Sequence, residues 1–101
     1  MQAIRHGEGQ DLSNLVSAYA ALGEARRAIE FHGRALVIYH ETGDQRGEGN
    51  ALWNMTLALD KLGNRDQAIA NAQAALAIYE RIEDPNAAKV RRKLAEWREQ
   101  E

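Results

Sequence analysis

Three histidines, fifteen carboxylates and no cysteine bound the chemistry open to this 101-residue chain. A zinc site needs histidine, cysteine or carboxylate ligands that converge, and nucleophilic sulfur chemistry needs a thiol. His32 and His40 stand eight residues apart with no carboxylate placed to join them, and His6 is remote from both, so all three read as packing or surface residues. Gly7-Glu8-Gly9 and Gly47-Glu48-Gly49 suggest loops that cradle phosphate. Neither has the following glycine or lysine, or the preceding strand, that such a loop requires. Both triplets read as turns between repeats. The carboxylates are scattered, with no pair suited to acid–base work. The expectation is a protein without catalysis, cofactor or metal.

What must position any remaining functional residue is an internal repeat. Residues 7–46 aligned with 47–86 without a gap match at fifteen of forty positions, among them Gly7, Leu12, Asn14, Ala18, Leu22, Gly23, Ala28, Ile29, Ala35, Leu36, Ile38, Tyr39 and Asp44. That length belongs to stacked arrays, whose units bury their apolar faces only against neighbours. Leu52, Met55, Leu59 and Leu62, with Leu12, Leu15, Tyr19 and Leu22 before them, recur at helical spacing. So do Ala68, Ile69, Ala75, Leu76 and Tyr79 with their counterparts. Each unit is therefore expected to be a helix pair. Gly23 and Gly63 mark the turns inside the pairs, with Asn64 suited to cap the helix that follows. Gly43-Asp44 and Asp84-Pro85 mark the turns between them. Helices are expected near 8–22, 25–42, 45–62, 65–82 and 85–99.

The ends differ. Val90, Leu94 and Trp97 keep a narrowed stripe flanked by charge, as a helix sealing the end of an array requires. Residues 1–6 read as the tail of a preceding unit. The organisation is thus one domain over 1–101, with repeats at 7–46 and 47–86 and a capping helix over 87–101. A formal charge of -2 and the absence of a long apolar run exclude a strongly basic nucleic-acid module and a membrane span, and leave cytoplasmic residence as the expectation.

The pattern Asn14-Leu15, Leu22-Gly23, Ala28-Ile29 and Ala35-Leu36-Val37-Ile38-Tyr39, repeated as Asn54-Met55, Leu62-Gly63, Ala68-Ile69 and Ala75-Leu76-Ala77-Ile78-Tyr79, resembles the tetratricopeptide repeat. The usual unit has about 34 residues. The forty-residue form is similar to the repeats of kinesin light chains, polarity adaptors and many bacterial signalling proteins. His32 and Ala72 stand where that family usually carries a large aromatic, and Arg65 where it favours tyrosine. The resemblance implies an all-α, right-handed superhelical array whose first helices line a concave groove for peptides or helices of other proteins.

A helical wheel shows which residues reach such a groove. Opposite the Leu52, Met55, Leu59 stripe stand Asn50, Trp53, Asn54, Leu57 and Lys61, and the first repeat contributes Gln10, Ser13, Asn14, Ser17 and Ala21. Trp53 and Leu57 either anchor a partner or fill the crevice between successive first helices, where Ser13 and Ser17 leave room. Asn14 and Asn54 either hold the backbone of an extended ligand or bridge adjacent helices. Ser13, Ser17, Trp53 and Leu57 fill the places of the lysine-and-asparagine clamp that some relatives use for a terminal carboxylate, which disfavours that ligand. The functional expectation is a protein-interaction module within a larger scaffold or signalling protein. The alternatives are a structural spacer with an unused groove and an RNA or anionic-surface contact through the basic final helix. Weak self-association through the array ends is also expected.

Overall fold

Capping chemistry divides the second half of the chain as its sequence dictates. In the computed structural model, which describes the backbone of residues 6–100 and the side chains from Ala20 to Gln100, four helices follow one another: α1 (His6–Thr42), α2 (Gln45–Lys61), α3 (Arg65–Arg81) and α4 (Asn86–Glu99). No strand occurs among the described residues. Before α2, Gly43 takes a φ of 75° and Asp44 accepts a hydrogen bond from the Gly47 amide at 2.9 Å. Before α3, Gly63 takes a φ of 80° and Asn64 accepts from the Gln67 amide. Before α4, Asp84 accepts from the Asn86 amide at 2.8 Å, while its other oxygen takes a hydrogen bond from Arg46 Nε at 3.0 Å. Each carboxylate or amide satisfies a donor that a helix start leaves open.

The first repeat departs from expectation. The helices expected at 8–22 and 25–42 are one continuous helix, and Gly23 lies inside it rather than in a turn. The reason is the next residue. Where the second repeat has Asn64, the first has Glu24, a good helix former and a poor cap. Ala20-Ala21-Leu22 and Ala25-Arg26-Arg27-Ala28 on either side also favour helix. Carrying the helix through one glycine costs about 1 kcal/mol, whereas an uncapped break leaves backbone donors and acceptors open at two new ends. The 37 residues of α1 make a rod about 55 Å long, which accounts for most of the 61 Å long axis of the molecule.

The remaining helices pack in chain order, α1 on α2, α2 on α3, and α3 on α4. Their core joins Trp53 and Leu59 of α2, Ala68, Ala72, Ala75 and Tyr79 of α3, and Ala87, Val90 and Trp97 of α4. The second Gly-Glu-Gly triplet is not an inter-repeat turn either. Gly47 and Gly49 are buried in the first turns of α2, where a methyl group on Gly47 would lie 2.6 Å from the Tyr39 ring and one on Gly49 would lie 2.8 Å from that of Tyr79. Only glycine lets both tyrosines approach the backbone so closely. The Gly7 triplet lies within α1. Arg65, standing where the family favours tyrosine, lays its guanidinium 4.7 Å from the centroid of the Trp97 ring and bonds to Asp60 at 3.0 Å, so a stacked cation does the work of an aromatic.

Candidate functional site

The helix expected to line a groove is α2, and its neighbours decide which of its side chains remain available. Gly49 meets Tyr79 of α3, Gly47 meets Tyr39 of α1, and Lys89 of α4 lies over the Trp53 ring at 5.7 Å. Thr56, on the buried side, returns its hydroxyl proton to the Leu52 carbonyl at 2.8 Å, which satisfies it without a partner from another helix. The side that remains carries Asn50, Asn54, Leu57 and Lys61, all exposed.

Trp53 does not belong to that open side. It is 6% exposed and forms part of the core. Of the two roles open to it, the geometry gives it the filling of a crevice between successive first helices. The crevice is the one toward α4, whose Lys89 lies over the ring. A ring already out of water has little area left to offer a ligand. Leu57 separates from it. At 40% exposure it is an apolar side chain among polar neighbours, facing solvent. Asn50 accepts the phenolic proton of Tyr79 at 2.6 Å, so its amide is engaged in joining α2 to α3. Burial, and secondarily the Asp84 carboxylate, push the Tyr79 phenol above its ordinary pKa, because both disfavour a phenolate there. Asn54 and Lys61 point from the same face. Gln10, Ser13, Asn14 and Ser17 fall on α1 with side chains outside the described residues, and Ala21 is exposed there.

Sequence reasoning missed the residues opposite. Glu24, Ala25, Ala28 and His32 of α1 combine with Asn54, Leu57, Ala58 and Lys61 of α2 to line an open pocket of about 250 Å³. Its floor is alanine and its rim is polar. The signal available was the equivalence of Ala28 with Ala68 and of His32 with Ala72, positions that are wholly buried in the second repeat. No group of histidine, aspartate and glutamate side chains suited to a metal occurs among the described residues. Three of the five basic side chains of α4 are engaged within the chain. Arg91 bonds to Glu80 at 2.9 Å, Lys93 to Glu96 at 3.3 Å, and Lys89 covers Trp53. Among the described residues no helix is long and apolar enough to cross a membrane.

Comparison with known families agrees with this architecture. The model of the tetratricopeptide repeat matches residues 12–81, which span most of the long helix and both helices of the second unit. No characterised protein and no solved structure matches the chain. Repeats of this kind generally mediate protein–protein interaction and are typically not enzymes. With the matched region covering more than half of the sequence and the antiparallel α2–α3 pair built on it, the chain belongs to the tetratricopeptide-repeat family.

Proposed function

We propose that the chain is a recognition module of a larger scaffold or signalling protein, binding an extended peptide or a helix of a partner protein on the open face of α2. The observation that carries this reading is the grouping of Asn54, Leu57 and Lys61 on one exposed side, with an apolar side chain between an amide and a cation. Their roles divide physically. Leu57 gains affinity by leaving water, the Asn54 amide pairs with a backbone donor and acceptor, and Lys61 attracts a carboxylate at the rim. Trp53 supports the face from beneath.

Two other readings are weaker. A spacer with an unused face leaves the exposure of Leu57 without a purpose, and an RNA contact through α4 would compete for Arg91 and Lys93 with their partners Glu80 and Glu96. The test is to pan a random peptide library on the immobilised chain and measure the selected peptides by calorimetry. Leu57→Asp should abolish binding, and Asn54→Ala should cost about 1–3 kcal/mol if it strands a buried ligand group. Both residues are exposed, so the fold should survive either change. Selected peptides that bind Leu57→Asp as tightly as the parent chain would assign recognition to another surface.

A further inference from the structure

The two repeats bury the same positions to different depths. In α3, Ala68, Ala72, Ala75 and Tyr79 form a wholly buried stripe, with Asn71 and Ile78 buried beside it. Forty residues earlier on α1 stand Ala28, His32, Ala35 and Tyr39, which are only half-buried, and Phe31 and Ile38, which are 68% and 58% exposed. The neighbours explain the difference. α3 lies between α2 and α4, whereas α1 packs substantially on α2 alone. Among the described residues, no second helix covers α1 on the side of Phe31 and Ile38.

The chain itself encodes a helix with the matching face. Residues 8–22 carry Leu12, Asn14, Ala18 and Leu22 where α2 has Leu52, Asn54, Ala58 and Leu62, and Gly9 where Gly49 admits the Tyr79 ring. That segment cannot cover its own α1, because an unbroken helix holds Gly9 and Tyr39 of one chain about 45 Å apart. The two can meet only between chains. The register is already specified by the second repeat, where Gly49 faces Tyr79. Transferred to the first, Gly9 faces Tyr39, two positions symmetric about residue 24, and residue 24 is also the midpoint of α1 (His6–Thr42). Two copies of α1 laid antiparallel about a dyad at Glu24 therefore overlap along their whole length.

We infer that this chain forms a symmetric dimer by exchanging residues 8–22. Each copy lays that segment over Phe31, Ala35 and Ile38 of the other, the counterparts of Asn71, Ala75 and Ile78, which are buried in the second repeat. The interface is isologous and closes, so assembly stops at two copies. The inference is independent of the peptide-binding reading, since it concerns the α1 face and is read out as mass.

Light scattering on the full chain should give twice the 11.3 kDa chain mass at micromolar concentration. Phe31→Asp, a change at an exposed position that leaves the helices intact by circular dichroism, should return it to the monomer. The natural sequence has no cysteine, so Glu24→Cys carries a single pyrene label next to the dyad and should show excimer emission. A monomeric parent chain, a Phe31→Asp chain that stays dimeric, or a dimer without excimer emission would each overturn the exchange.

Discussion

Gly23 and Gly63 occupy the same place in the two repeats, yet alanine should act on them with opposite sign. Gly63 has a φ of 80°, where an L side chain crowds its own backbone, so Gly63→Ala should lose about 1–2 kcal/mol. Gly23 has helical backbone inside α1, and a methyl group added there meets nothing within 4 Å. Gly23→Ala therefore only exchanges a poor helix former for the best one and should gain about 1 kcal/mol. The two variants should differ by about 2–3 kcal/mol. In a domain of this size 1 kcal/mol moves Tm by about 4–8 °C, so the first should melt several degrees below the parent chain and the second several degrees above it. Thermal unfolding followed by circular dichroism resolves such a gap easily. All three chains must be compared at one concentration, because association raises Tm by mass action. Equal losses in both variants would refute the reasoning, since they would mean that the chain reverses at Gly23 as it does at Gly63.

Trp97 is 3% exposed and closes the core with Val90, so Trp97→Ala should cost about 3–5 kcal/mol, read as a fall in the urea midpoint; an unchanged midpoint would show that α4 adds nothing to the fold. Tyr79 gives a pH signature. An unfolded tyrosine titrates near pH 10, the folded Tyr79 holds its proton to higher pH, and its contribution is complete below about pH 10 and lost as pH rises through the folded value. Stability should fall on that alkaline limb in the parent chain, and the difference from Tyr79→Phe should shrink with it. A difference that stays flat between pH 9 and 11 would contradict the sign.

Most of the array was legible because its signals are local. The recurrence of Leu12 at Leu52 and of Tyr39 at Tyr79 sets the repeat, the helical spacing sets the class, and Gly63-Asn64 contains both the left-handed residue and the cap that a chain reversal needs. The error at Gly23 arose because Leu22-Gly23 is identical to Leu62-Gly63, while the deciding difference is one residue later. A glycine permits a helix to stop but does not oblige it to, and the cap supplies the obligation. Gly47 and Gly49 misled for a different reason. Their missing side chains serve the rings of Tyr39 and Tyr79, and a tertiary approach of that kind leaves no mark in local sequence beyond glycine itself.

The candidate face shows where a helical wheel stops being informative. It placed Asn50, Asn54, Leu57 and Lys61 on the exposed side of α2, as observed, but it placed Trp53 there as well, and Trp53 is buried. The wheel sees one helix only, whereas Trp53 joins a core built with α3 and α4, and Lys89 of α4 lies over its ring. Phe31 and Ile38 are the complementary case. They flank the stripe of α1, they are as apolar as the residues that α3 hides, and they stay in water because, among the described residues, no second helix covers α1 there. An aromatic ring worth 150–250 Å² of burial is stabilising only where the next helix exists. In a stacked array the unit of stability is therefore the interface between neighbours rather than the amphipathic helix. That is why border residues, unlike stripe residues, report which neighbours a repeat has been built to receive.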